Sequence, residues 1–286
     1  MLAKIRDTEI FFDVDGAALV PDGPRMVDKP TMFAIHGGPG MDHSGYKSSL
    51  PPLSDKVQIV YFDHRGQGRS ARGAKESYTL ENNVEDMEAL RQHLGLGKIV
   101  LLGGSYGGMV AMSYAIRYPQ NVSHLIAAVT SSEGRCLERA KQIVKERGSA
   151  EQQEAAKILF DGAFEDEEHM RDTMEALGPI YSQKYDAQAA KERRGRQIVS
   201  PDAINFAFGG FLRTYNITAE LHKISSPTLV IGARHDWICA PEFSEIIARN
   251  IPNSDLRIFE NSGHWVAADE HQNFIDVIRG FLTYNS

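Results

Sequence analysis

Cysteine is nearly absent from this chain of 286 residues: Cys136 and Cys239 stand alone, at neither metal-site nor redox-motif spacing. That excludes a disulfide framework and a zinc or iron–sulfur centre, so no metal or other cofactor is expected, and free thiols point to a cytoplasmic setting. Long apolar runs are missing as well. No stretch approaches the roughly 20 residues of a membrane span, and the opening MLAKIRDTEIFFDVDG breaks every short apolar run with charge, unlike a signal peptide. A basic excess is also lacking: 31 Lys and Arg against 38 Asp and Glu give a net charge of −7, so neither nucleic acid nor an anionic membrane is expected as a partner. A cationic substrate would be tolerated, but the charge is too mild to predict one. What remains is an ordinary globule, 42% hydrophobic and 24% charged, long enough for one α/β domain with an insertion or for two small domains. A monomer or homodimer is expected.

The most informative stretch is Ile99 to Tyr118, IVLLGGSYGGMVAMSYAIRY. Ile99-Val100-Leu101-Leu102, bounded by glycine, has the pattern of a buried strand. Apolar cover from Val110, Met112, Tyr114 and Ala115 predicts a helix from about Gly107 to near Pro119. Between them Gly103-Gly104-Ser105-Tyr106-Gly107 reads G-x-S-x-G, a nucleophile elbow. The short pattern arises by chance in many sequences; the strand before it and the helix after it give it meaning. A serine in so tight a turn takes a strained backbone, and the chain on either side passes too close for side chains. Such a turn presents Ser105 Oγ at the sheet edge and aims a helix N-terminus at any oxyanion that forms.

Taken in order, Lys4 to Val14 reads as a hairpin around Asp7-Thr8, and residues 21 to 30, rich in proline, glycine and charge, read as a loop. Thr31 to Ile35 is the next strand and ends in His36-Gly37-Gly38-Pro39-Gly40, a backbone tight enough to aim an N–H at a substrate atom. Gln58 to Phe62 is another core strand, followed by Asp63-His64-Arg65-Gly66-Gln67-Gly68-Arg69-Ser70. With no Lys-Ser or Lys-Thr after the last glycine this is not a phosphate loop, but a structural turn in which Arg65 and Asp63 satisfy the backbone and each other. Leu80 to Leu94 is an amphipathic helix, and Leu125 to Val129 one more strand.

From Ser132 to Lys223 strand-like runs cease, and charged helical segments follow at Leu137 to Arg147, Glu151 to Phe160 and Glu167 to Leu177. This block reads as a helical cap over the strand ends, residues 132–223, inserted into a core of residues 1–131 and 224–286. The acidic run Glu165 to Glu168 reads as a solvated helix start. The aromatic stretch from Phe206 through Phe208 and Phe211 to Tyr215 is expected to line the cleft, with core packing a close alternative. Alternation then resumes: strand Pro227 to Ile231, helix Glu242 to Asn250, strand Leu256 to Phe259 and helix His271 to Tyr284. The expected fold is α/β, a mostly parallel doubly wound sheet whose ligands bind at the carboxyl ends of the strands.

A serine hydroxyl needs a histidine base, itself oriented by a carboxylate. After the strand ending at Ile231 comes Gly232-Ala233-Arg234-His235-Asp236, and after the strand ending at Phe259 comes Glu260-Asn261-Ser262-Gly263-His264. The order Ser105, Asp236, His264 suits this fold, with Glu260 as fallback acid. His235 adjoins Asp236 on one loop and cannot take an orienting bond from it. His36 and His43 would shape the pocket. The oxyanion donors are expected to be the N–H groups of Tyr106 and Gly38, and Gly37, Phe208, Phe211 and Trp237 are the expected substrate contacts.

The chain resembles the α/β-hydrolase superfamily over essentially its whole length. His36-Gly37-Gly38-Pro39-Gly40, the Asp63 to Ser70 segment and Gly103-Gly104-Ser105-Tyr106-Gly107-Gly108 are together similar to its proline-iminopeptidase branch. The resemblance implies the same triad and oxyanion hole. It also implies glutamates that hold a substrate's free amine, one in the cap and one directly after the triad aspartate. Here Ile198 to Ala219 holds no glutamate, and Trp237 follows Asp236. A buried ammonium without a carboxylate partner is heavily penalised. An ester or lactone is therefore the expected small-molecule substrate, with an aminopeptidase as the alternative. In triad arrangement, size and aromatic cap the chain is also similar to serine esterases that open macrolide lactones, which implies antibiotic inactivation as a sharper form of the same expectation.

Overall fold

Near-continuous apolar runs are what a strand needs when both of its faces are covered. In the computed structural model, which describes residues 1–284, β5 (Thr31–Ile35) and β7 (Ile99–Gly104) are such strands at the centre of an eight-stranded sheet. Side chains alternate between two cores. Phe33 and Ile35 face Val84, Met87 and Val110, whereas Met32 and Ala34 face the layer of Phe274, Ile275 and Ile278.

The sheet order is β1-β2-β6-β5-β7-β8-β9-β10. β1 (Leu2–Ile5) and β2 (Thr8–Asp15) form the expected hairpin, and β2 joins β6 (Gln58–Phe62) antiparallel. All later pairings are parallel: β6 with β5, β5 with β7, then β8 (Val122–Ala128), β9 (Thr228–Ala233) and β10 (Ser254–Phe259). Residues 21 to 30, expected as a loop, instead belong largely to a separate ribbon of β3 (Leu19–Asp22) and β4 (Arg25–Asp28) around Gly23. Both of its strands are almost wholly exposed, so no buried alternation marks them in the sequence.

After β5 comes the short α1 (Ser44–Lys47). α2 (Leu80–His93), capped by the Thr79 hydroxyl, and α3 (Tyr106–Arg117) cover one face of the sheet. α9 (Pro241–Asn250) packs on that face too, and α11 (His271–Tyr284) on the other, with α10 (Val266–Asp269) just before it.

Between β8 and β9 lie α4 (Arg135–Arg147), α5 (Ala150–Asp161), α6 (Glu167–Tyr181), α7 (Ala187–Arg196) and α8 (Pro201–Gly209). A Ser149–Gln152 capping box opens α5. Asp166 caps α6, so the acidic run does start a helix. The buried Asp269 carboxylate ties this segment to the sheet. It accepts the amides of Gln183 at 3.0 Å, Lys184 at 3.1 Å and Gly263 at 2.7 Å, together with the Ser182 hydroxyl. No helix among the described residues is long and apolar enough to cross a membrane.

Candidate active site

At the β7–α3 junction Ser105 has φ 55° and ψ −126°, a conformation costly for any residue with a Cβ. The neighbouring backbone holds it there: Ser105 N donates to Ala128 O at 3.0 Å, and Ser105 O accepts Gly108 N at 2.9 Å and the Thr130 hydroxyl at 2.6 Å. The glycines are required by space. A Cβ on Gly103 would lie 2.2 Å from Gly107 O, and one on Gly107 would lie 2.0 Å from Ile35 O. The helix begins at Tyr106, one residue before the expected start, so Ser105 is its N-cap. The Ser105 side chain makes no capping bond.

Asp236 and His264 follow β9 and β10 and meet: His264 Nδ1 donates to Asp236 Oδ2 at 2.8 Å. Asp236 Oδ1 accepts the amides of Ile238 and Cys239, each at 2.9 Å, so both oxygens of this buried carboxylate are engaged. With its Nδ1 hydrogen committed, the neutral ring keeps the Nε2 lone pair free. His235 is exposed, and Glu260 is exposed in a bidentate pair with Arg234, so neither competes for these roles. Ser105, His264, Gly37 and Gly38 line one cavity of about 480 Å³, a size suited to small molecules.

The glycine loop lies directly on the elbow, since a Cβ on Gly37 would come within 3.2 Å of Ser105 Cβ. Gly38 has φ +114°, open in practice to glycine alone. The Asp63 to Ser70 segment braces this loop. Gln67 Oε1 accepts Gly40 N at 2.7 Å, Arg69 reaches Asp42 at 2.8 Å, and Asp63 accepts His43 Nδ1 at 2.7 Å. Burial works to raise the Asp63 carboxyl, but the His43 bond, the His36 charge and the Arg69 amide outweigh it and hold it below the usual range. Arg65, expected to pair with Asp63, instead pairs with Asp86 on α2 at 2.5 and 2.7 Å and with Asp7 at 2.9 Å. Both Asp63 oxygens are already engaged, Oδ1 by His43 N and Nδ1 and Oδ2 by the Arg69 amide. His36 Nδ1 donates to Gly37 O, and its Nε2 accepts His64 N at 3.1 Å. Burial pushes His36 below its ordinary value and His64 well below it.

Gly37 and Phe208 lie on the cavity wall. Phe211 and Trp237 do not. Phe211 packs on Tyr106 and Phe206, and Trp237 is 2% exposed between the rings of Phe160 and Tyr181, where it builds the core beneath the site. The wall also includes Tyr46, Tyr181, Arg193 and Arg194, which the sequence pattern did not reveal. A residue on a polar helix gives no periodic sign that it turns toward a cavity.

A serine at a strained elbow, sharing a cavity with a carboxylate-oriented histidine on a largely parallel sheet, defines a hydrolase of the α/β class. The chain belongs to the family described as alpha/beta hydrolase fold, whose model matches residues 30–270. Within it the chain is proline-iminopeptidase-like. It is 32% identical over 280 residues to "Proline iminopeptidase PfmaB" of Pestalotiopsis fici, covering 95% of this chain and 98% of that protein. It is 30% identical over 267 residues to a proline iminopeptidase of Saccharolobus solfataricus, covering 88% and 84%. An esterase from Exiguobacterium antarcticum, at TM-score 0.75 and 21% identity, covers 99% of this chain and 98% of its own. That likeness is one of fold.

Proposed function

We propose that the chain is a serine hydrolase that cleaves a carboxylic ester or lactone through an acyl-enzyme. Ser105 Oγ attacks the carbonyl carbon, and His264 Nε2 takes the serine proton and returns it to the leaving alcohol. Asp236 fixes the tautomer and stabilises the imidazolium. The amides of Tyr106 and Gly38 donate to the oxyanion, each such donor contributing roughly 3–4 kcal/mol to the transition state. A water then repeats the sequence on the acyl-enzyme. Residues 132–223 act as a cap that encloses the acyl group. The observation that carries this reading is the His264–Asp236 bond on the wall of the cavity that Ser105 opens into.

The choice of ester over amine rests on charge. Among the described residues the one carboxylate on the cavity wall is Asp42, and its oxygens already hold Ser44, Arg69 and Ile198 N. That leaves no acid for a substrate ammonium. The second reading, a prolyl aminopeptidase, is favoured by the names of the 30–32% identical relatives. One panel separates them: a 4-nitrophenyl alkanoate, a macrocyclic lactone and a prolyl 4-nitroanilide, with wild type and Ser105→Ala. Ester or lactone turnover that falls on the order of 10⁴-fold or more in Ser105→Ala is expected. Rapid prolyl release with little ester turnover overturns the substrate assignment, and turnover indifferent to the substitution removes the mechanism.

A further inference from the structure

Arg193 and Arg194 lie in the last turn of α7, in a run, AKERRGR, whose composition suggests a solvated helix end. Basic residues there ordinarily reach the last helix carbonyls. In this chain that role is filled from another helix. Arg171 of α6 donates to Arg194 O at 3.0 Å and to Gln197 O at 2.9 Å. Arg193 turns instead onto the cavity wall. Its guanidinium carbon lies 3.9 Å from the centre of the Trp265 ring, the residue after His264, and Tyr181 stacks parallel to that ring with centroids 5.3 Å apart. The guanidinium is thus held by a stack that also touches the catalytic histidine, since Tyr181 packs edge-on against His264.

The charge account is specific. On the wall, Asp42 is offset by Arg69 at 2.8 Å and Arg194 by Glu175 at 2.9 Å. Arg193 Nη2 is buried without a hydrogen-bond partner, as are Nη1 and Nη2 of Arg194. What sets Arg193 apart is charge, since it forms no ion pair with any described acid whereas Arg194 has Glu175. A desolvated donor with no acceptor is costly, and a stacked guanidinium presents its remaining N–H groups in a planar fork. A single uncompensated positive charge calls for a single negative one. Stacking alone leaves those donors unused, so packing against Trp265 does not account for an arginine at this position.

We propose that Arg193 forms a subsite for a carboxylate on the substrate, so that the preferred substrate is a monoanionic ester bearing a free carboxylate away from the reacting carbonyl. This deepens the esterase reading and rests on it for the word ester; the anion subsite itself does not depend on turnover. The same charge disfavours a substrate with a free ammonium. Burial, and next the charge of Arg194, hold the Arg193 guanidinium below its ordinary value.

The test has a binding arm and a kinetic arm. In the binding arm, Ser105→Ala protein is titrated calorimetrically with monomethyl and dimethyl esters of adipate and of suberate. The monoester is expected to bind roughly ten- to hundredfold tighter, with a preference that shrinks as salt is raised. Adding Arg193→Met abolishes the preference, and adding Arg193→Lys, which keeps the charge without the fork, retains part of it. Equal binding of the two esters, or a preference that survives Arg193→Met, overturns the proposal. In the kinetic arm, kcat/KM is compared for 4-nitrophenyl hemi-adipate and 4-nitrophenyl hexanoate. In Arg193→Met the ratio of the hemi-adipate value to the hexanoate value is expected to fall toward one, and a ratio that keeps its wild-type size overturns the subsite. A carboxylate preference in binding without turnover of either ester sinks the esterase reading and leaves the subsite standing. Turnover of both esters at equal efficiency, with equal binding, sinks the subsite and leaves the esterase reading standing.

Discussion

Asp236 has two tasks that use different oxygens, and this separation can be tested by a single atom exchange. Oδ1 holds the loop through the amides of Ile238 and Cys239, while Oδ2 faces His264. In Asp236→Asn the carbonyl oxygen can keep the two amides, so the fold is expected to melt within a few degrees of wild type. The amide nitrogen then faces His264 Nδ1 and donates to it. That forces the hydrogen onto Nε2, where Ser105 needs an acceptor. We expect kcat to fall on the order of 10⁴-fold with KM little changed, read by steady-state kinetics on whichever ester the panel identifies. A loss below tenfold would mean that the acid does not set the tautomer. The same loop explains why His235 could be set aside from position alone. A ring adjacent in sequence to the acid points away from it, and here it is exposed.

The elements legible in the sequence were those whose burial enforces a period. β5 and β6 have the bounds the apolar runs suggested, and α2 differs from its expected span only at its last residue. The ribbon of β3 and β4 was not legible because nothing buries it, and α7 and α8 were not singled out because their polar or short runs carry weak periodicity. The two loops around the glycine turn were legible as motifs but not in their pairing. Only coordinates assign Arg65 to Asp86 and His36 to the amide of His64. That last bond has a pH consequence. A protonated His36 would direct a hydrogen at the His64 amide, and burial already disfavours the charged form of both rings. Their folded values are depressed, so the unfolded chain binds the extra protons. Their contribution to stability is complete above the unfolded value of about 6.5 and is lost as pH falls below it. The Asp63 carboxyl is depressed from 3.8, so its own loss comes at more acidic pH. Guanidinium unfolding midpoints are therefore expected to fall between pH 7 and pH 5, and His64→Phe is expected to flatten that fall. A flat wild-type profile over this range would show that these rings do not stay neutral.

At the scale of the molecule, activity depends on how the helical segment between β8 and β9 is fastened to the sheet, because that segment contributes Tyr181, Arg193 and Phe208 to the cavity wall. The loss of strand-like runs marks a helical stretch in the sequence, which carries no sign of how it is fastened. Asp269 reads as one more charge at a helix end. In the fold it is 2% exposed and joins Ser182, Gln183 and Lys184, at the turn between α6 and α7, to Gly263, the residue before His264. One carboxylate thus sets both the wall and the base. Asp269→Ala leaves the amides of Gln183 and Gly263 without acceptors, while Lys184 N keeps Ser182 Oγ at 3.1 Å. At about 1–3 kcal/mol for each orphaned amide, a stability loss of about 2 kcal/mol or more is expected from urea unfolding. The diagnostic readout is local. Amide exchange in residues 182–196 and in residues 260–270 should accelerate together in native buffer, with KM rising more than kcat falls. Acceleration confined to one of the two stretches would show that the segment and the histidine loop are held independently, and that the cavity wall can move without disturbing the base.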